Sequence, residues 1–339
     1  MTVSDNFISG TEMSNNDVDR RKSKSLVHAC LPSPVQTWAH STCSQESLSS
    51  AIHDSKITAI ETDIVMGSYQ ENSSVIKEDK IRAIMAHPPA NLSDLTVERF
   101  FVLTTKSVSI DGTNQSSSKE LLKHLKLDFK EAETIRPTIE SIVELGSLST
   151  SGHTIFLNAD IFPGPGHRSE PLQINSEYFV KECFDAMKKA GDSNVISSKV
   201  SFSLGWKVDC RSFDGYTHAD VRVMRDFILK HNLVNRTQGV VLAVNARLLS
   251  KDCKPFDSIL REVPNTQLLI WTGTGEPPIS NGKISSVKTH FKNLGLYDKV
   301  GFDCKIADNY IWGGVLDTAV KLSGVYLNIK KSLKSYFVF

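Results

Sequence analysis

Residues 125–130 read Leu-Lys-Leu-Asp-Phe-Lys, a strict alternation of apolar and charged side chains. On a β-strand, neighbouring side chains point to opposite faces, so Asp128 and Lys130 share one face and the apolar residues take the other. The pattern predicts a strand over 121–129 with one face packed in the core. Its charged face must then point towards a functional site.

Further apolar runs alternate along the chain with stretches of helical period, a pattern typical of βαβ units and a parallel sheet. Nine runs are candidate strands: 35–40, 57–66, 81–87, 121–129, 154–160, 199–208, 239–245, 267–272 and 299–304. A TIM (β/α)8 barrel is the nearest closed form and is typical of chains about this long. One run must therefore lie outside the barrel, and we expect it to be the run that begins at Lys199 or Gly239.

The length of 339 residues fits one barrel with decorated ends. We predict a disordered leader over 1–34, because it is polar and contains a charged run at 19–24. The barrel domain is expected over 35–315. The tail over 316–339 mixes apolar residues with lysines, and we expect it to be helical or docked on the barrel.

Composition excludes several classes of protein. A net charge of +1, from 39 basic and 38 acidic residues, argues against a broad nucleic-acid surface. The six cysteines include no Cys-x-x-Cys pair, so neither a zinc module nor a compact disulfide framework is indicated. No apolar stretch is long enough for a transmembrane segment or a secretory signal. The sequence predicts a soluble, cytoplasmic protein, or a secreted one if its true N-terminus differs.

Polar side chains stand at or near the carboxyl ends of most predicted strands, where a TIM barrel keeps its active site. The set comprises His40, Glu61, Asp63, His87, Asp128, Lys130, Asn158, Asp160, Trp206, Lys207, Asn245 and Trp271. A single histidine or carboxylate in such a position is usually structural or caps a helix. So many of them in one predicted mouth indicate a site.

The types of residue in this set suit phosphodiester chemistry. The carboxylates of Glu61, Asp63 and Asp128 are hard oxygen ligands for Mg²⁺ or Ca²⁺. His40 and His87 are candidates for the two proton-transfer roles. Lys130 would stabilise the negative charge that develops on phosphate.

Three residues are candidates for contacts with the rest of the substrate. Asn158 lies on the predicted interior face of its strand and is expected to hydrogen-bond the substrate. Trp206 and Trp271 form a candidate apolar wall, although aromatic residues at barrel mouths are as often packing residues. Asp160 fits either a neighbour of the metal or the cap of a following turn, and Lys126 is interpreted as structural.

Five short motifs in order resemble the menorin family: Trp-Ala-His at 38–40, Glu-Thr-Asp at 61–63, Ala-His-Pro-Pro at 86–89, Lys-Leu-Asp-Phe-Lys at 126–130 and Asn-Ala-Asp at 158–160. That family is similar to the phospholipase C-like phosphodiesterases, which are TIM barrels and include glycerophosphodiester phosphodiesterases and spider-venom phospholipases D. The resemblance implies a catalytic histidine pair, a Glu-x-Asp metal pair and an acidic-x-Lys pair at the positions already selected.

The sequence also departs from the glycerophosphodiesterase pattern. Ser41-Thr42 follows His40 where those enzymes usually have Arg-Gly, and Pro88-Pro89 follows His87 where they have Asp. Three functions stay open. The first is a Mg²⁺- or Ca²⁺-dependent phosphodiesterase or phosphotransferase, that is a phosphoric diester hydrolase or lyase, acting on a glycerophosphodiester or lysophospholipid headgroup. The second is a binding or signalling protein that keeps the ligand site without turnover, and the third is a purely structural barrel. The first is favoured, and a protein partner is compatible with the second.

Overall fold

The computed structural model describes residues 31–70, 80–106, 123–146, 153–189, 198–273, 275–307, 318–320 and 322–323. Its strands are β1 (Trp38–Ala39), β2 (Ala59–Tyr69), β3 (Arg82–Met85), β4 (Leu92–Ser93), β5 (His124–Phe129), β6 (Ile155–Pro163), β7 (Val200–Lys207), β8 (Val240–Asn245), β9 (Thr266–Trp271), β10 (Ile279–Ser280), β11 (Val300–Asp303) and β12 (Ile306–Ala307).

Helices follow most of the barrel strands. They are α1 (Gln45–His53), α2 (Val97–Lys106), α3 (Ile135–Gly146), α4 (Ser176–Lys189), α5 (His218–Lys230), α6 (Leu233–Arg236), α7 (Ala246–Leu249), α8 (Asp257–Glu262) and α9 (Asn281–Asn293). Short 3₁₀ turns cover Ala132–Thr134, Lys254–Phe256 and Tyr297–Lys299. Within the described ranges, no helix is long and apolar enough to cross a membrane.

Eight parallel strands form a nearly closed barrel in the order β1-β2-β5-β6-β7-β8-β9-β11. The first and last strands approach each other where His40 Nε2 lies 2.7 Å from Asp303 Oδ1. The prediction of a TIM-type α/β barrel is therefore confirmed.

The ninth candidate strand was assigned wrongly. The runs that begin at Lys199 and Gly239 are barrel strands β7 and β8, whereas the run at 81–87 contains β3, which pairs antiparallel with the upper part of β2. β2 is 11 residues long and extends beyond the barrel, so its upper edge is free to pair with β3 and β4. An apolar run gives no information about strand direction, so the sequence could not distinguish this hairpin from a barrel strand.

The outward faces of the strands form the main core with the helices. Phe129 on β5, Phe179 on α4 and Phe202 on β7 stack edge to face, with ring centroids 5.7 and 5.8 Å apart along the series. Full burial of each such side chain stabilises the fold by about 1.5–3 kcal/mol. The described cysteines are free thiols, so this core is not cross-linked.

The inward faces form a second, smaller apolar cluster that fills the lower half of the barrel. Phe156, Val241 and Leu269 are buried there, and Leu31 and Trp38 pack against them. The Gln267 side chain donates to the Pro32 carbonyl at 3.0 Å, so this segment covers the amino ends of the strands. The barrel interior is filled below and opens towards the carboxyl ends of the strands.

Residues 31–34, which the sequence analysis assigned to the leader, thus contact the floor of the barrel. Residues 1–30 lie outside the described part of the chain. So does most of the predicted tail, of which only 318–320 and 322–323 are described, as helical residues.

Candidate metal site at the barrel mouth

Strand register assembles three carboxylates inside the barrel. Asp63 on β2 lies directly beside Asp128 on β5, and Glu61 lies one level lower, beside Lys126. Glu61 and Asp63 are buried and Asp128 is half-buried. One oxygen from each of the three carboxylates lies within 4.8 Å of the others.

Lys130 neutralises part of this charge. Its Nζ lies 3.0 Å from Asp63 Oδ1 and 2.7 Å from Asp128 Oδ2, so one ammonium group bridges two of the three carboxylates. Burial opposes the charge of Lys130, but Asp128 and Asp63 raise its pKa well above the ordinary value. Lys130 therefore stays cationic at any physiological pH.

The donor set fits a hard divalent cation. One oxygen from each carboxylate lies within 4.8 Å of the others, which is less than the span of about 5 Å between oxygens on opposite sides of Ca²⁺; the corresponding span for Mg²⁺ is about 4.2 Å. Carboxylate oxygens are the ligands that both ions prefer. Glu61, Asp63 and Asp128 would hold such an ion, with the open mouth left for water or substrate.

Burial and neighbouring charges shift the pKa values of Glu61 and Asp128 in opposite directions. Burial raises the pKa of Glu61; Lys126 opposes this effect, and the charges of Asp63 and Asp128 add to it. Burial would also raise the pKa of Asp128, but Lys130 and Lys126, together with a hydrogen bond from Asn158, lower it. Lys126 was interpreted as structural, and it lies buried one level below Asp128 where its charge favours the ionised carboxylates.

His40 stands at the rim of the cluster. Its Nε2 contacts Asp303 Oδ1 at 2.7 Å, and its Nδ1 faces Glu61 Oε2 at 3.9 Å. Burial alone would lower the pKa of His40, but the hydrogen bond and charge of Asp303, with the charge of Glu61, raise it. Asp303 thus orients the imidazole so that Nδ1 points towards the carboxylates.

The residue after His40 also serves the cluster. The Ser41 N–H donates to Glu61 Oε2 at 2.8 Å, and the Ser41 hydroxyl lies 3.4 Å from Asp63 Oδ2. Ser41 has φ = 46°, a left-handed conformation that costs a non-glycine residue roughly 1–2 kcal/mol. Ser41 therefore holds the Glu61 carboxylate in place and contacts that of Asp63.

His87 follows a segment that pairs with the same edge of β2 as the segment after His40. The Thr42 N–H donates to the Glu61 carbonyl and the Ala86 N–H donates to the Asp63 carbonyl, each at 3.0 Å. Carbonyls two residues apart on a strand point the same way, so the segment after β1 and the end of β3 are neighbours. The His87 side chain is exposed, and its Nδ1 contacts the Pro88 carbonyl at 2.7 Å.

The three predicted substrate contacts differ in location. Asn158 is buried, accepts a 2.6 Å hydrogen bond from the Ser203 hydroxyl and donates to Asp128, so its amide positions the Asp128 carboxylate. Trp271 is half-buried and lies two residues after the inward-facing Leu269 on the same strand. The two side chains therefore share a face, and Trp271 points into the mouth. Trp206 is 1% exposed and packs on Tyr216 and Phe256 in the helix layer. The structure does not bring Trp206 to the site.

Sequence reasoning missed Asp303, Ser41 and Ser203 as parts of this site. Asp303 carried a usable signal, because it ends the last barrel strand as the other site residues end theirs. Ser41 and Ser203 carried none, since their roles depend on a backbone conformation and on cross-strand register.

Fold and site together define a TIM-type barrel protein with a divalent-metal-type carboxylate cluster at its mouth. The family model described as Menorin N-terminal domain matches residues 35–301, and the chain belongs to the menorin family. Among curated proteins it is similar to Protein FAM151B of Homo sapiens, with 27% identity over 270 residues that cover 77% of this chain and 81% of that protein.

Proposed function

We propose that the protein is a Mg²⁺- or Ca²⁺-dependent phosphodiesterase or phosphotransferase whose substrate is a glycerophosphodiester or a lysophospholipid-type headgroup. The observation that carries the proposal is the convergence of Glu61, Asp63 and Asp128 within 4.8 Å, with Lys130 bridging two of them. A purely structural barrel would have no reason to place like charges so close together inside its mouth.

The charges at the mouth suit a phosphate group. A bound divalent ion would neutralise phosphate oxygens and stabilise the charge that develops on them. Lys130 supplies a second, fixed positive charge, 27% exposed and so reachable by a ligand. Asn158 and Ser41 keep Asp128 and Glu61 in place, which reduces the reorganisation needed when the ligand binds.

His40 is the best placed group for proton transfer. Asp303 holds a proton on Nε2, which leaves Nδ1 as the atom able to take a proton from a nucleophilic hydroxyl or water. The side chain is 41% exposed, so a ligand in the mouth can reach it. Asp303 also stabilises the imidazolium that forms when Nδ1 takes the proton.

A second candidate function is metal-dependent binding of a phosphorylated ligand without turnover. The geometry of His87 favours it, since its Nδ1 contacts the carbonyl of the neighbouring Pro88 and, within the described residues, the side chain makes no hydrogen bond or ion pair with the three carboxylates. A site with one engaged histidine would bind phosphate well but lack the second proton-transfer group.

Turnover of a panel of glycerophosphodiesters and lysophospholipids in Mg²⁺ or Ca²⁺ tests the first function. We expect Asp63→Asn and His40→Ala to lower the rate by about a hundredfold or more. His53→Ala is the matched control, because His53 is exposed on α1 and should leave the rate unchanged. Undiminished turnover in both site variants would contradict the proposal.

The same proteins separate the two functions by calorimetry. Metal-dependent binding of inorganic phosphate that is lost in Asp63→Asn, in a protein that turns over no substrate, would support the binding function. Binding together with turnover would support the enzyme.

A further inference from the structure

Asp160 is a fourth carboxylate of the barrel mouth that the metal cluster does not use. It lies on β6, two residues beyond Asn158, and therefore points to the barrel interior. Register places it directly beside Gly205 on β7. Unlike the metal ligands Glu61 and Asp63, it is exposed to solvent.

The location of Asp160 is built into the fold in two ways. A Cβ atom on Gly205 would clash with Asp160 Oδ1, so any other residue at 205 would force the carboxylate out of its observed position. The register of β6 and β7 then shifts between Asp160 and Phe162, a bulge of the kind that re-aims a side chain beside an active site.

Within the described part of the chain, the Asp160 carboxylate makes no hydrogen bond or ion pair with another protein group. Lys207, the nearest cation on the adjoining strand, is paired with Glu170 at 3.2 Å, and Lys130 is paired with Asp63 and Asp128.

Two structural roles do not fit. Asp160 caps no turn, because β6 continues to Pro163. It is also not a member of the described group of carboxylates whose oxygens converge on one point. Because Asp160 is exposed in the barrel mouth and makes no hydrogen bond or ion pair with the described residues, its oxygens are free to accept a hydrogen bond from a ligand.

We infer that Asp160 determines specificity by accepting a hydrogen bond from a donor group, a hydroxyl or an ammonium, on the part of the ligand that lies beyond its phosphate. The inference rests on the proposed function, in which phosphate occupies the metal and Lys130. The ligand class is then a phosphate ester whose alcohol carries such a donor a few bonds away from the phosphorus.

The test is calorimetric titration of the full chain in saturating Mg²⁺ with inorganic phosphate, ethyl phosphate, O-phosphoethanolamine and glycerol 3-phosphate. Ethyl phosphate is the matched ligand without a donor. We expect the ligands with an ammonium or a hydroxyl to bind about ten- to a hundredfold more tightly than ethyl phosphate, the range for a hydrogen bond to a charged group.

Three variants test whether Asp160 causes the preference for ligands that carry a hydrogen-bond donor. Asp160→Ala should remove it and leave the affinity for inorganic phosphate unchanged. Asp160→Asn keeps an acceptor oxygen, so it should keep the preference for glycerol 3-phosphate and lose the one for O-phosphoethanolamine. Gly205→Ala displaces the carboxylate without removing it and should act like Asp160→Ala. Asp214→Asn, a change on an exposed loop, is the control.

Equal affinity of the wild-type protein for ethyl phosphate and the donor ligands would overturn the inference, as would an unchanged preference in Asp160→Ala. These results leave the proposed function intact if inorganic phosphate still binds. Failure of inorganic phosphate to bind the wild-type protein in Mg²⁺ would instead overturn the proposed function, and the inference with it.

Discussion

Lys130→Met separates the two roles that the geometry gives to this lysine. Its ammonium bridges Asp63 and Asp128 at 3.0 and 2.7 Å and neutralises part of their charge. With metal and ligand bound, the same charge would face phosphate. Replacement by methionine keeps most of the length of the side chain and removes the charge.

The loss of stability expected for Lys130→Met follows from the distances between its ammonium and the two carboxylates. At an effective dielectric constant of about 20, opposite unit charges about 3 Å apart attract by roughly 5 kcal/mol, much of which is offset by desolvation. Removal of one partner from a buried ion pair typically destabilises a protein by about 3–5 kcal/mol. Lys130 is partly exposed, so we expect the lower end, about 3 kcal/mol, for the metal-free variant.

Metal affinity should rise in Lys130→Met, although the stability of the variant falls. A divalent ion in the wild-type protein is repelled by Lys130, whereas in the variant it meets only carboxylates. We expect Mg²⁺ or Ca²⁺ to bind Lys130→Met at least tenfold more tightly, a gain of about 1.4 kcal/mol. Affinity for phosphate in saturating metal should fall, because the second positive charge is gone.

Calorimetry of metal binding and thermal unfolding with and without metal measure these effects. Lys207→Met is the matched control, since it removes a cation from the mouth that pairs with Glu170 and not with a metal ligand. Metal affinity that is unchanged or weaker in Lys130→Met would refute the reasoning, because it would mean that the lysine and the metal do not share the carboxylates.

Three further substitutions test residues at the site and in the core. In protein without metal, Asp303→Asn should lower the pKa of His40. NMR titration of the imidazole ring measures this change. Because the pKa of His40 is raised above 6.5, its contribution to stability is complete below that pH and is lost as pH rises through the raised value; the variant should lack this loss. Trp206→Ala should destabilise the fold by about 3–5 kcal/mol, measured by denaturant unfolding, because Trp206 fills the helix-layer core. Trp271→Ala should cost much less stability yet weaken binding of a phosphate ester, and the reverse order would show that the two tryptophans are assigned wrongly.

Alternation and chemical type made the barrel and the central site predictable. The stretch at 125–130 had to be a strand with Asp128 and Lys130 on one face, and parallel strands had to bring that face to the mouth. Glu61 and Asp63 followed by the same argument. The structure adds the register, which sets Asp63 against Asp128 and leaves Glu61 one level lower.

Some features could not be predicted from the sequence, because they depend on strand direction, side-chain orientation and backbone conformation. Residues 81–87 have a strand's composition, but their antiparallel pairing depends on how far β2 extends beyond the barrel. Trp206 follows Gly205 by one residue, and this single step places it on the outer face of β7. Asn158 was expected to contact substrate, yet its amide is used by Asp128 and Ser203.

The most direct test of the account is a crystal of the protein soaked in Mn²⁺, with diffraction recorded near the manganese absorption edge. Mn²⁺ takes the oxygen ligands that Mg²⁺ takes, and its anomalous signal identifies it. We predict one peak between Glu61, Asp63 and Asp128, with Lys130 displaced from at least one carboxylate. A map without that peak, with Lys130 still bridging Asp63 and Asp128 in saturating metal, would contradict the central claim.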